Sequence, residues 1–233
     1  MSVGSQHSNP SIVVVIPAYN EASVLEETIR QLLNASYTVV VVDDGSTPSL
    51  KERLHPFPIH YLRHRVNLGQ GAALQTGFRY AQILQPKVVI SFDADGQHDP
   101  ADIPALAAPV LADEVDIVLG SRFLEKGSES LPSARRKLLG IARLVNGLLT
   151  GLWLSDAHNG LRALGPKALE EINLQENRMA HASEILLEIR KHGWRRKEIG
   201  VNIRYTDYSK QKGQSGWDSI RIVFDLLLHK LFQ

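Results

Sequence analysis

The sequence predicts an α/β fold with a mostly parallel, doubly wound sheet, and three observations support it. Short β-branched runs alternate with segments of helical period through the first half of the chain. The runs are apolar without interruption, as suits strands covered on both faces. Several of them end in polar residues, at the place where open sheets of this kind bind their ligands.

Each element has its own reason. "SIVVVIP" (11–17), "YTVVVVDDG" (37–45), "PKVVISFDADG" (86–96) and "VDIVLGSR" (115–122) read as buried strands, with "PIHYLRH" (58–64) a weaker candidate. Between them "EASVLEETIRQLLNA" (21–35), "GQGAALQTGFRYAQIL" (69–84) and "PADIPALAAPVLADE" (100–114) read as helices. In the first of these, Val24, Leu25, Thr28, Ile29, Leu32 and Leu33 share one face. The second half is less regular. Segments 133–151, 181–193 (ended by Gly193) and 217–233 read as helices, 196–206 as a strand and 207–216 as a loop.

Composition narrows the function classes. A chain of 233 residues has ample core for one substantial domain. Its net charge of +1 offers no global argument for nucleic acid or for an acidic partner. The charge is uneven, however: residues 178–233 carry 11 Lys and Arg against 6 Asp and Glu. Such a quarter suits phosphates or anionic headgroups, and equally a solvated face. The absence of Cys excludes disulfides, thiolate zinc sites and cysteine nucleophiles. The polar head "MSVGSQHSNPS" lacks the basic start and apolar run of a signal peptide, and no apolar run reaches about 18 residues. The expected location is therefore cytoplasmic.

The strand ends carry the chemistry. Tyr19, Asn20 and Glu21 follow the first strand, Asp43 and Asp44 the second, and Asp93 and Asp95 the run ending "VVISFDADGQHDP"; all should meet at one sheet edge. Two aspartates two residues apart can offer oxygen to one hard cation, Mg²⁺ or Mn²⁺, with a diphosphate completing the shell. Gln97 or His98 is placed to add or orient a ligand. An EF-hand is excluded, since Gly96 follows the second Asp directly and a strand precedes the motif. A phosphatase with an Asp nucleophile would carry its motif at the first strand and not in mid-chain. Asp99 before Pro100 reads as a helix cap. Asp44 suits either a turn or a ribose or base contact. In "NLGQGAALQTG", Asn67, Gly69 and Gly71 open a helix whose N–H groups can approach a ligand, but without a dinucleotide or P-loop fingerprint. Arg122 in "GSR" suits a phosphate or a salt bridge.

Taken in order, "VVVIPAYNEASVLEETI", "VVVVDDGST", "NLGQGAALQTGF", "FDADGQHDP" and "DIVLGSRF" resemble the motif set of the family 2 glycosyltransferases with the GT-A fold. The dolichol-phosphate mannosyltransferase-like branch is the nearest in appearance. Each motif is modest alone; five in this order are highly specific. The resemblance covers about residues 11–215. It implies one domain there, with a nucleotide-sugar half at 11–122 and an acceptor half at 123–215. A polar tail (1–10) precedes that domain and an amphipathic helix (216–233) follows it. It also implies metal-dependent inverting transfer from a GDP- or UDP-linked sugar.

Residue by residue, the resemblance assigns Pro17, Tyr19 and Glu21 to the nucleoside and Asp44 to base or ribose. Asp93, Asp95 and Gln97 fall to metal and diphosphate. Arg122 and Arg136 match cations facing donor and acceptor phosphates, and Arg204, Lys210 and Lys212 match a loop covering the site, where with Arg136 they would bind the acceptor phosphate. The implied acceptor is a polyprenyl or dolichyl phosphate, or a cell-envelope glycan precursor. A membrane-surface location and a homo-oligomer formed through the last helix accompany that reading. "DAHNGLRAL" (156–164) replaces a more apolar stretch of the branch, which leaves sugar and acceptor open. Glu184 suits either a catalytic base or a helix-surface Glu. The competing classes are a non-catalytic nucleotide-sugar-binding or scaffold protein and a transferase to a soluble hydroxyl.

Overall fold

The computed structural model of the chain describes residues 10–124, 147, 151–157 and 159–204. The helix expected at 133–151, apart from residues 147 and 151, and that expected at 217–233 lie outside the described residues, as do Arg136, Lys210 and Lys212. The first half follows β1 (Ile12–Ala18), α1 (Ala22–Asn34), β2 (Thr38–Asp43), α2 (Lys51–Leu54), β3 (His60–Arg63), α3 (Gln70–Leu84) and β4 (Val88–Ser91). A 3₁₀ turn (Pro100–Asp102), α4 (Ile103–Leu111) and β5 (Ile117–Ser121) come next. The described chain then gives β6 (Arg162–Leu164), α5 (Pro166–Glu171), α6 (His181–His192) and β7 (Arg196–Gly200).

These strands form one sheet in the order β3-β2-β1-β4-β6-β5-β7. β1 runs parallel to both β2 and β4, so the strand ends at residues 18, 43 and 91 reach the same edge, as the sequence requires. The order reverses between β1 and β4, which makes a topological switch point there. β6 is the exception to the parallel rule. It enters antiparallel to both neighbours, with Arg162 opposite Ser91 on one side and Leu119 on the other.

Alternation along the strands explains the two layers. Val13 and Val15 of β1 pack with Val40, Val42 and Phe78 on the face covered by α3, α5 and α6. Val14 and Ile16 pack with Leu25, Ile29, Ile103 and Leu106 on the face covered by α1 and α4. A strand buried on both sides cannot alternate apolar with polar, which is why "VVVVI"-type runs appear. At full burial each such Val or Ile contributes about 1.5–3 kcal/mol, so the sheet is a rigid frame for its loops. α6 ends as read, with Gly193 at φ 63° beyond His192. β7 is shorter than the strand read at 196–206, because its partner β5 ends at Ser121. No helix of the described residues is long and apolar enough to cross a membrane.

Candidate active site at the sheet switch point

The turn after β4 carries the densest chemistry. Asp93 keeps 27% of its side-chain surface exposed, yet both carboxylate oxygens are held from inside. Gln70 Nε2, from the first turn of α3, donates to Oδ1 at 2.8 Å. His98 Nε2 meets Oδ2 at 3.0 Å. His98 Nδ1 is buried with no hydrogen-bond partner among the described residues, so the proton belongs on Nε2, where it donates. Burial works to raise the Asp93 pKa; the His98 bond leads the opposing effects, Arg162 joins them, and the carboxyl stays below its usual range. Gly160 makes this seat possible, since a Cβ there would stand 2.2 Å from Asp93 Oδ2.

Asp95 does different work. Its Oδ1 accepts from the Gln97 N–H at 3.0 Å, a local turn that bends the chain back. Asp99 caps the following 3₁₀ turn as read, its Oδ1 accepting from the Ala101 N–H at 3.0 Å, with Pro100 in first position. Among the described residues no group of three or more His, Cys, Asp or Glu side chains could hold a metal. Asp93 and Asp95 are the two carboxylates that this turn has to offer a cation.

A buried line of charge runs sideways from Asp93. Arg162 on β6 is 2% exposed, and its Nη2 has no hydrogen-bond partner among the described residues. Burial lowers its pKa to about 10, against the pull of Asp93 and Asp156. Asp156 in turn grips Arg122 through Nε at 2.7 Å, Nη2 at 2.8 Å and the backbone N–H at 3.0 Å. Burial opposes ionisation of Asp156, and Arg122 outweighs it, so this carboxyl too is held low. Of the two partners the sequence allowed Arg122, the structure shows the salt bridge. Its two-pronged contact, through Nε and Nη2, is made with Asp156.

Asp44, read as either a turn former or a ribose or base contact, is tied into the loops. Its carboxylate, 2% exposed, takes His64 Nδ1 at 2.7 Å and the Leu68 N–H at 2.9 Å on Oδ1. Oδ2 takes Asn67 Nδ2 at 2.9 Å and the Gly69 N–H at 2.7 Å. Four donors saturate the group, leaving nothing for a ribose or base. Asp43 is similarly spent, on the N–H groups of Ser46 and Leu50 and on Tyr61 Oη. Burial works to raise the Asp43 pKa, but the bonds from Ser46 and Tyr61 hold it low. The two aspartates staple the loops at 43–50 and 64–69 to the end of β2.

Gly69 and Gly71 have a third account. Gly69, at φ 111°, would place a Cβ 2.2 Å from the Asn177 carbonyl, and Gly71 would place one 2.0 Å from that of Glu176. The N–H groups of Gly71 and Ala72 donate to Asn177 O at 2.9 and 3.2 Å. These glycines admit the segment before α6, and protein acceptors take the helix-start N–H groups read as ligand donors. That segment is itself held by Glu184, which accepts from the N–H groups of Gln175 (2.8 Å) and Glu176 (2.9 Å). Burial pushes the Glu184 pKa up, and its place is a loop clamp.

The loop after β1 keeps the expected position. Pro17 lies within β1, Tyr19 is 45% exposed, and Glu21 precedes the first turn of α1. Asn20, at φ 58°, ties this loop to the next, its N–H donating to Ser46 Oγ and its Oδ1 accepting from the Thr47 N–H, both at 3.0 Å. Gln97 lies on the Asp93 turn, and Arg204 pairs with the Asp99 carboxylate. Sequence reasoning passed over Gln70, Gly160 and Arg162 and left His98 unassigned. The one legible signal was an Arg set among Leu161, Ala163 and Leu164, since a charge inside an apolar run needs an internal partner.

Comparison with known proteins agrees with this frame. The model of the family described as Glycosyl transferase family 2 matches residues 13–172. An uncharacterised protein of Methanocaldococcus jannaschii is 35% identical, covering 95% of this chain and 93% of its own. The UDP-N-acetylglucosamine–dolichyl-phosphate N-acetylglucosaminyltransferase of Methanococcus voltae is 30% identical over 94% of this chain and 96% of its own. Among solved structures, S. aureus TarS 1–349 overlays with a TM-score of 0.54 at 16% identity, over 91% of this chain and 64% of that one. That overlay speaks for the fold alone, which is of the GT-A nucleotide-diphospho-sugar transferase type. With a family match spanning most of the sheet and the turn at Asp93 and Asp95, the chain belongs to glycosyl transferase family 2.

Proposed function

We propose that this chain moves a sugar from a nucleoside-diphosphate sugar onto a polyprenyl or dolichyl phosphate, with inversion at the anomeric carbon. The carrying observation is the Asp93 and Asp95 turn, set at the switch point and supported by Gln70 and His98. The Methanococcus voltae relative, named for transfer to dolichyl phosphate, supports the acceptor class.

In this reading a phosphate oxygen of the acceptor attacks the anomeric carbon. The bond from that carbon to the diphosphate oxygen breaks, and the diphosphate leaves with the electron pair. A phosphate monoester, with its second pKa at about 6, is ionised at neutral pH and needs no protein base. A hydroxyl acceptor would need one. Asp93 and Asp95, with Gln97 beside them, are the residues to hold Mg²⁺ or Mn²⁺. Such an ion, when bound, neutralises charge on the departing diphosphate. Tyr19, half exposed beside the cross-tied loops, is offered to the nucleoside. Arg136, Lys210 and Lys212 are the cations proposed for the acceptor phosphate. The work would be done at a membrane surface, where such acceptors reside.

A thermal-shift screen of UDP- and GDP-linked sugars, with and without Mn²⁺, tests the donor and metal parts. Stabilisation of the wild type that needs Mn²⁺ and disappears in Asp95→Ala is expected. If no nucleotide sugar stabilises the protein in a metal-dependent way, the reading fails. Transfer to a soluble hydroxyl acceptor, with none to polyprenyl phosphate, would overturn the acceptor class alone.

A further inference from the structure

The turn at 92–99 leaves the sheet where β4 ends, and another segment replaces the ladder contacts it has lost. Beyond Gly200 the chain crosses behind the turn. The Val201 N–H donates to Ser121 O at 3.0 Å, still following β5. Asn202 then grips Asp102 twice, backbone N–H to Oδ2 at 2.9 Å and Nδ2 to Oδ1 at 3.2 Å. Ile203 forms an antiparallel bridge with His98, the residue that holds Asp93. The Arg204 N–H donates to Gln97 O at 2.8 Å, and its guanidinium pairs with Asp99 Oδ2. Residues 97, 98, 99 and 102 are thus each fastened from one short strap, immediately behind Asp95.

We propose that the 201–204 strap sets the geometry of the Asp93 and Asp95 turn, with Arg204 and Asn202 as positioning residues acting through Asp99 and Asp102. The inference rests on the donor-site reading above. It gives Arg204 a different task from the acceptor-phosphate contact suggested by its charge. Asp99 is well placed to carry the load. Its side chain is only 18% exposed, one oxygen caps the Ala101 N–H, and the other receives Arg204. Arg204, at 53% exposed, contributes through a partly solvated ion pair together with its backbone bond. Alone such a pair is modest. Its effect here is to restrict a loop whose carboxylates must meet one ligand, where a small displacement is costly.

The test uses the full chain; its first arm is nucleotide binding and its second is transfer to polyprenyl phosphate. Affinities for UDP and GDP in the presence of Mn²⁺ are measured by calorimetry for the wild type, Asp99→Asn, Arg204→Gln and the double variant. Asn is as good a helix cap as Asp, so Asp99→Asn keeps the Ala101 bond and removes the ion pair. Each single variant is expected to weaken the preferred nucleotide about five-fold, the weight of one partly exposed pair. The double variant should be no weaker than either single, and Arg204→Lys should recover most of the loss. Asn202→Ala, which removes only the Asp102 side-chain bond, should weaken binding in the same direction. Unchanged nucleotide affinity in Arg204→Gln, with a raised KM for polyprenyl phosphate, would overturn the strap and return Arg204 to the acceptor. Strictly additive losses would overturn it as well. A wild type that binds neither nucleotide with Mn²⁺ defeats the donor-site reading itself, and that result is seen before any variant is made.

Discussion

Asp44→Asn separates a structural carboxylate from a ligand contact. The substitution preserves shape and one acceptor oxygen but turns the other oxygen into an NH₂ group. In one orientation that group confronts Asn67 Nδ2 and the Gly69 N–H; in the other it confronts the Leu68 N–H, while His64 Nδ1 can accept from it after a change of tautomer. Either way one or two bonds to a charged acceptor are lost, each weighing about 1.5–3 kcal/mol. The site is buried, so water cannot replace them, and a loss of about 3 kcal/mol follows after local relaxation. Against a total of about 5–15 kcal/mol that is a large fraction. It corresponds to a fall in Tm of about 6–12 °C for a domain of this size. Urea unfolding should show a lower midpoint with an unchanged slope. Nucleotide affinity, measured well below the melting transition, should stay within about two-fold, because the carboxylate has no free lone pair to offer. An unchanged midpoint with a collapse of nucleotide binding would refute the reasoning and restore Asp44 to the base or ribose.

Two further outcomes follow from the geometry. Gly160→Ala sets a methyl 2.2 Å from Asp93 Oδ2 and 2.8 Å from its Cγ. Asp93 cannot yield without releasing Gln70 or His98, so Mn²⁺-dependent stabilisation by nucleotide should vanish, as it should in Asp93→Ala; retention of the shift would show the seat is not tight. Asp116→Asn tests pH dependence. The hydrogen bonds from Arg195 are the main cause holding the Asp116 carboxyl below its ordinary 3.8. A depressed folded value means the contribution is present above about pH 4 and is lost as pH falls through that depressed value. The variant should therefore be less stable than wild type at neutral pH, and the gap should close in acid-unfolding curves below about pH 4; a gap constant with pH would contradict the assignment.

The parts of the fold legible in the sequence are those whose burial is continuous and whose length exceeds noise. β1 and β2 are read almost to the residue because Val and Ile fill both faces, and α1 because its apolar face repeats with the helical period. β6 and α5 escape for the opposite reason. Three residues, one of them a buried Arg, show no period at all, and six residues starting at Pro166 make little more than a turn and a half. Their partners are distant in sequence, so only the sheet order reveals that "RAL" is a strand. The same distance hides the strap, since nothing near Arg204 in the chain announces Asp99.

The candidate site divides along a similar line. Sequence identifies which polar groups gather at the strand ends, because the parallel strands must deliver them to one edge. It cannot say which of them face a ligand and which face each other. Asp43, Asp44 and Arg122 look like ligand contacts by type and place, yet the structure spends each one on an internal partner. Gly69 and Gly71 look like room for a phosphate and are room for a carbonyl. The reason is physical. Loops at a sheet edge have lost their ladder partners, and their own backbone N–H groups must be satisfied before any substrate arrives. The polar residues nearest the strands meet that need, so those left for chemistry lie one step further out, on the turn. Asp93 stands at the boundary, held by Gln70 and His98 while a quarter of its side-chain surface remains open. That double character, fixed from behind and open in front, suits the role proposed for it, a carboxylate presented in one orientation to a diphosphate and its cation.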